Sequence, residues 1–480
     1  MRPSVCVHAH LYQPPREHPA TGEVPLEPSA APHHDWNHRI TVESYEPIAA
    51  ARVLRDDGDV DHTVNLFEWI NFNVGPTLGS WLDRHAPHIV AAMQRGDEAS
   101  CHRNDGHGGA IAQPFVHAIL PLATPRDRDT LIIWGLAEFA RRFGRPAEGM
   151  WLPETAVDTA TLEALAAHGM RFSIVAPHQI QSPNAIDTPR TIDRHSPLQV
   201  SLPSGRSISL FAYDGALSHG IAFGTLLQRG DLLAARLTEP VRARGGLSHV
   251  ATDGETFGHH HKFAEMAVAW ALEAIDNDPE VDLTTYGAFL ASYLDSSAPV
   301  ERARLVEDTS WSCEHGLERW RSACGCAGSA EVPFGHAWRV DLRRAVDSVV
   351  DSVTTLTDRY AGAALRDPWG ARDRYIHALL EPSKLNAFLD TEAVPGARSE
   401  AGAWLRAHEH LLLAQSSCGW FFDEFDGLES LLVLRQLAAA TATISGLTPV
   451  DLDREVAACL APVRAATGSG LGIWERVTRE

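Results

Sequence analysis

The sequence predicts an α/β chain in which a parallel barrel is followed by an α-helical C-terminal domain. Over about the first 290 residues, short apolar runs alternate with stretches whose apolar residues recur at helical spacing. Charged or aromatic groups stand just after most of those runs (His8 and His10, Glu154, Asp214, Asp253), where a parallel barrel gathers its functional side chains. From Trp338 onward only long helical periodicity remains, as in 340–360 and 428–443.

The elements follow in order. Residues 4–10 alternate towards a first strand, and 11–38, rich in Pro and His, read as a long loop of the kind that is usually functional. A second strand is expected at 63–65, a helix at 81–94, and a loop over the polar, glycine-rich 100–114. Residues 127–143 form an amphipathic helix, 149–152 a strand, and 158–168 a helix closed by Gly169, a suitable C-cap. Strands come next at 172–175, 208–213 and 249–252, the last leading through 253–261 into a helix at 262–275. The expected domains are a barrel over 1–300, a Ser/Gly/Cys-rich linker or insertion over 301–337, and a helical domain over 338–480 that completes the cleft.

Composition narrows the function. A chain of 480 residues buries a large core and is too long for one ordinary compact unit. A formal charge of −21 argues against a nucleic-acid partner, which needs a basic face, and fits an anionic polysaccharide poorly. Carboxylates that accept hydroxyl hydrogen bonds, together with 13 tryptophans whose faces stack on sugar rings, suit a neutral, hydroxyl-rich substrate. Met1 to His8 run into a strand rather than a secretory apolar segment, and no run approaches the roughly 18 apolar residues of a membrane span. The seven cysteines are odd in number and scattered, as in reduced, cytoplasmic proteins. The expectation is a soluble cytoplasmic protein without a membrane partner. Cys324-Gly325-Cys326 is too tightly spaced for the usual zinc knuckle and reads as a loop, so neither metal nor cofactor is expected.

The most informative stretch is Ala251-Thr252-Asp253-Gly254-Glu255-Thr256-Phe257-Gly258-His259-His260-His261. It sets a carboxylate at the exit of a buried strand, and Met150-Trp151-Leu152-Pro153-Glu154 sets a second beside a tryptophan. Paired carboxylates among aromatics are what glycosidic-bond chemistry requires: one attacks or acts as base, the other protonates the leaving oxygen. Singly, most such acids are caps, ion pairs or solvated surface groups. Glu255 follows Asp253 across a glycine that ends the strand, so it orients a histidine or bonds a sugar hydroxyl. His8 and His10 share one strand face and could hold a metal, while a satisfied core histidine is the alternative for His8. Adjacent histidines diverge and seldom chelate one ion, so of His259, His260 and His261 only His259 is expected to face the cleft. Trp311, Trp420 and Asp423 are candidates for the sugar groove, with a core role for Trp420 as the alternative.

Four segments in this order resemble the motifs of glycoside hydrolase family 57. They are His8-Ala9-His10-Leu11-Tyr12-Gln13-Pro14, Trp151-Leu152-Pro153-Glu154, Asp253-Gly254-Glu255-Thr256-Phe257-Gly258, and Ser416-Ser417-Cys418-Gly419-Trp420-Phe421-Phe422-Asp423. The family acts on α-glucans and related sugars by a retaining mechanism. The resemblance implies a (β/α)7-like distorted parallel barrel with a helical C-terminal domain. It also implies Glu154 as nucleophile and Asp253 as acid/base, with substrate contacts from His8, His10, Gln13, Trp151, Glu255, His259, Trp311, Trp420 and Asp423. The family's second motif finds only a loose counterpart in Gly106-His107-Gly108-Gly109-Ala110-Ile111-Ala112-Gln113-Pro114-Phe115, and the segment 308–316 matches nothing in it. A divergent branch is implied, whose substrate need not be starch or glycogen. Two other readings remain open from the residues alone. One is a metal-dependent enzyme of deacetylase or zinc-mannosidase type, using His8, His10, Asp253 and one of the histidines 259–261. The other is a catalytically silent carbohydrate-binding protein.

Overall fold

In a computed structural model, residues 1–55, 57–183, 192–296, 298–327, 335–465 and 468–480 are described. They fall into two compact units. The first comprises residues 1–13, 26–113 and 139–307; the second comprises 14–25, 114–138 and 308–480.

The first unit is a barrel of parallel staves. Its central strand, Pro3–Leu11, is buried from Ser4 onward, the near-continuous burial of a parallel strand covered on both faces. Along one edge it pairs with Gly246–Asp253 over eight residues, from Pro3 beside Gly246 to His10 beside Asp253. It also pairs with Asn71–Val74 in its second half and with Asp282–Leu283 near its start. From Asn71–Val74 the wall continues by single parallel bridges, Phe72 to Ala110, Ala112 to Met150 and Gly149 to Phe172. Phe172–Val175 then pairs with Ser207–Ala212, and the Asp214 amide donates to the His249 carbonyl at 2.9 Å, which closes the ring. Seven parallel staves are thus traced among the described residues, and the narrow bridges at 110–112 and 149–151 distort the barrel.

Three expectations differ from the structure. Residues 63–65 lie in the antiparallel hairpin of Ala51–Leu54 with Val60–Val64, while the barrel stave is Asn71–Val74. Two asparagines, residues disfavoured in strands, disguise that stave. The helix expected at 81–94 is two helices, Pro76–His85 and Pro87–Arg103, because Pro87 has no amide to donate and bars a helical residue before it. The stretch expected as a loop over 100–114 carries the end of that second helix and the 110–112 stave.

The second unit is helical. Trp338–Tyr360 packs on Leu452–Leu460, and Arg398–Leu413 packs on Leu428–Leu447. By length and composition Leu428–Leu447 could cross a membrane, but 56% of its apolar stretch is buried in this unit, as in a core helix. The unit also recruits an earlier stretch of chain. Arg372 donates to Asp127 at 2.6 Å and to Thr130 at 2.6 Å, Gln415 donates to Asp127 at 3.1 Å, and the Trp134 indole donates to the Arg372 carbonyl at 3.1 Å. The second unit is therefore not the uninterrupted tail 338–480: Asp127, Thr130 and Trp134 complete its core.

Candidate active site

The barrel's registers gather polar side chains at the C-terminal ends of its staves. His8 lies beside Asn71 and His10 beside Asn73 on one edge of the central strand, and His10 lies beside Asp253 on the other. The Asn73 carboxamide joins the two histidines. Its Oδ1 is 3.0 Å from His8 Nε2, and its Nδ2 donates to His10 Nδ1 at 2.8 Å and to Gln113 Oε1 at 2.6 Å. This network assigns the protons: His8 carries its own on Nε2, and His10 accepts at Nδ1. Both rings stack on Trp151, with centroids 4.8 and 5.1 Å away. Burial, reinforced at His8 by neighbouring His10, drives both imidazoles down to about 3. Both are therefore neutral at pH 7.

Glu154 follows the 149–151 stave in the turn Pro153–Thr155. Its backbone is left-handed, φ 56° and ψ 18°, and Thr155 has φ 49°. Two successive non-glycine residues in that region cost about 1–3 kcal/mol each and persist only where surrounding structure holds them. Here the Thr155 amide donates to Leu152 O at 2.8 Å, the Ala156 amide to Pro153 O at 2.9 Å, and Gln179 Nε2 to Thr155 O at 2.8 Å. Strain held at a carboxylate on a stave exit makes Glu154 a candidate functional position.

Asp253 ends the eight-residue strand, and Gly254–Thr256 turns away from it. Its side chain is open to solvent, yet enough protein surrounds it that burial is the first cause raising its carboxyl well above the usual range. The charges of Glu255 and then Glu154 add to that rise. Glu255 is buried, and its carboxyl is pushed up to about 7, by burial against the lowering effect of hydrogen bonds. The Tyr45 hydroxyl donates to Glu255 Oε1, the Tyr12 amide approaches it at 3.4 Å, and Gln13 bonds it as well. The Asp253 charge also raises the phenols of Tyr45 and Tyr213, though burial is the larger cause in each. Ser44 ties the turn down, donating to Gly254 O at 3.0 Å and Phe257 O at 3.2 Å. A carboxyl raised above its ordinary range, with two further carboxyls among the causes, has the equipment of a proton donor.

Of the residues expected from sequence, the first unit brings together His8, His10, Gln13, Trp151, Glu154, Asp253 and Glu255. His8, with 0% exposure, braces Asn73 and Trp151. His259 is half-buried, with Nδ1 2.5 Å from Glu43 Oε2 and its ring edge-on to Trp36. Trp311, Trp420 and Asp423 belong to the second unit. Trp420 is fully buried, donates to Arg339 O at 3.1 Å and carries the Arg343 guanidinium 4.1 Å from its ring centre. It presents no face to a sugar: the glycine before it serves close packing, since a Cβ there would meet Val433 at 2.4 Å. Asp423 accepts from His336 at 3.0 Å. Asp214 caps the helix Gly215–Ala222 by accepting the Ala216 and Leu217 amides. Asn73, Gln113, Tyr45 and Tyr213 were not singled out from sequence. The pattern Asn71-Phe72-Asn73, two polar groups sharing a strand face beside an apolar neighbour, could have found Asn73. Tyr45 sits in a π-helical turn that no periodicity announces.

Comparison with known proteins bears on the whole arrangement. Curated proteins give no sequence match. Residues 335–480 match a domain of unknown function (DUF3536). Among solved structures, an exo-type maltose-forming amylase from Pyrococcus sp. ST04 is similar with a TM-score of 0.72 at 14% identity, covering 99% of this chain and 88% of its own. A branching enzyme from Pyrococcus horikoshii aligns with a TM-score of 0.61 at 12% identity, covering 100% and 94%. The α-amylase AmyC from Thermotoga maritima gives 0.55 at 14%, covering 99% of each chain. At such identities the likeness establishes the fold. The decisive match is residues 81–296, which contain Glu154 and Asp253 and fit the pattern of glycosyl hydrolase family 57. Through that segment, the chain is similar to glycosyl hydrolase family 57.

Proposed function

We propose that the chain is a retaining glycoside hydrolase or transglycosylase acting on an α-glucan or a related oligosaccharide. The observation that carries this reading is the raised carboxyl of Asp253, with Glu154 and Glu255 among the causes of its rise. Asp253 gives its proton to the glycosidic oxygen as the bond to the anomeric carbon breaks, and Glu154 attacks that carbon from the opposite face. The resulting glycosyl ester is then cleaved by water or a sugar hydroxyl, whose proton returns to Asp253. Neutral His10 and the indole of Trp151 shape the ground around the nucleophile. Glu255, held by Tyr45, Tyr12 and Gln13, is among the causes that raise Asp253 and so helps hold its proton. The structural relatives are two amylases and a branching enzyme, which supports an α-glucan and leaves the choice between water and a sugar acceptor to the groove.

The test is to trap the intermediate. Incubation with a slow fluorinated α-glucosyl donor, followed by peptide mass spectrometry, should find the sugar esterified to Glu154. Product from an active substrate should keep the α configuration. Inversion at the anomeric carbon, or a sugar attached elsewhere, rejects the assignment.

A further inference from the structure

Outside the barrel, Cys313, His315, Cys324 and Cys326 converge, one ligand atom from each, all within 4.8 Å of one another. The sequence reading took the last two cysteines as a plain loop, because Cys-x-Cys alone is too close to form a zinc knuckle. The fold supplies the other half of the set, Cys313-x-His315, from the far side of the turn Glu318–Trp320. We propose that these four residues hold a structural zinc ion.

The distances carry the assignment. Cys313 Sγ lies 3.9 Å from Cys324 Sγ and 3.8 Å from Cys326 Sγ, and Cys326 Sγ lies 3.4 Å from His315 Nδ1. A tetrahedral zinc with Zn–S near 2.3 Å and Zn–N near 2.0 Å spaces its sulfurs about 3.8 Å apart and sulfur from nitrogen about 3.5 Å apart. A disulfide needs about 2.05 Å and would leave one of the three sulfurs over. A two-iron cluster spreads its ligands over two metal ions, which sulfurs this close do not allow. Three thiolates and one imidazole are soft donors, and four protein ligands leave no open position, so the site is structural rather than catalytic.

The surroundings fit such an ion. Three thiolates around a divalent cation leave one net negative charge. The fully buried Arg339 offers the compensating positive charge, its Nη1 4.0 Å from Cys324 Sγ and donating to Cys326 O at 3.1 Å. His336 Nδ1 lies 3.0 Å from Cys324 O, and Ser310 donates to Gly316 O at 2.7 Å to shape the loop of the first two ligands. Arg339 and His336, together with Arg319, reach a second segment. Arg319 donates to Phe421 O at 2.8 Å, Arg339 donates to Phe422 O at 3.1 Å, and His336 Nε2 meets Asp423 Oδ1 at 3.0 Å. Zinc would therefore fix the loop 313–326 and, through Arg339 and His336, the turn at 421–423.

The full-length chain, purified without chelator under reducing conditions, should hold one zinc per molecule by elemental analysis. After removal of the metal and refilling with Co²⁺, it should show the intense visible bands of a tetrahedral thiolate site. A Cys324→Ser/Cys326→Ser double variant should hold no metal and melt at a lower temperature than the parent. Should that variant fail to fold, the metal content and cobalt spectrum of the parent decide alone. The proposal is overturned by a chain that carries no zinc and gives no thiolate–cobalt bands. It is equally overturned by stoichiometric iron in place of zinc, or by two of the three cysteines joined in a disulfide.

Discussion

Glu255 is an ionisable group buried where its charge is unwelcome, and that makes the first unit's stability depend on pH. Its carboxyl rises from an ordinary 4.5 to about 7 on folding. Between those values the native state binds more protons than the unfolded chain, so stability falls as pH rises. The contribution is complete below about 4.5 and lost through 7, on the order of 3 kcal/mol over the interval. Glu255→Gln keeps an oxygen for Tyr45 and removes the titration. Its urea midpoint should therefore vary less between pH 5 and pH 8 than that of the parent chain, and an unchanged pH dependence would show that another group governs the window. Asp253→Asn should leave the fold intact and lower kcat/KM by about 10²–10⁴-fold on substrates whose leaving group needs a proton. Full activity on an unactivated glucan would remove Asp253 from that role. These two acids were legible in the sequence because an Asp-x-Glu at a strand exit has few neighbours to consult. Asn73 and Tyr45 were not, since each matters through a partner at least 63 residues away, His10 and Glu255 respectively.

Elements were legible where burial is periodic and obscure where tertiary pairing overrides composition. The strand Phe172–Val175 falls where its apolar run lies, and Trp338–Tyr360 and Leu428–Leu447 follow their helical spacing. Asn71–Val74 did not declare itself, because its polar residues are used by the site rather than by solvent. The turn after Asp253 shows how narrowly an element can be specified. Gly258 has φ 124°, and a Cβ there would lie 2.1 Å from the Glu43 carbonyl oxygen. Gly258→Ala must therefore move a backbone segment that carries Ser44 and Tyr45, and should cost roughly 2–4 kcal/mol in chemical denaturation. Trp420 was read as a sugar platform because an aromatic, acidic segment has the same composition whether it lines a groove or fills a core. Trp420→Ala should cost about 3–5 kcal/mol of stability, since it empties a fully buried site under Arg343. A variant that melts like the parent but has altered product lengths would restore the platform reading.

For the molecule as a whole, the boundary suggested by sequence pattern is not the boundary of folding. The match to the domain of unknown function starts at residue 335, which invites expression of the chain without its tail. Yet the second unit also contains residues 14–25 and 114–138, which such a cut would leave behind. Asp127 would lose both Arg372 and Gln415, and Trp134 would lose the Arg372 carbonyl as acceptor and Tyr375 as a ring neighbour at 6.2 Å. A buried carboxylate stripped of its partners costs several kcal/mol, about half the net stability of an ordinary domain, before any exposed apolar surface is counted. The candidate zinc ligands would stay on the shortened chain but lose the support of His336 and Arg339 beneath Cys324 and Cys326. Residues 1–334 expressed alone should therefore be recovered as aggregates or as a species without a cooperative melting transition. The full chain should melt cooperatively, at a temperature that falls when zinc is stripped. A soluble, cooperatively melting 1–334 fragment would mean that residues 114–138 find a stable arrangement of their own, and the two-unit division would have to be redrawn at the sequence boundary.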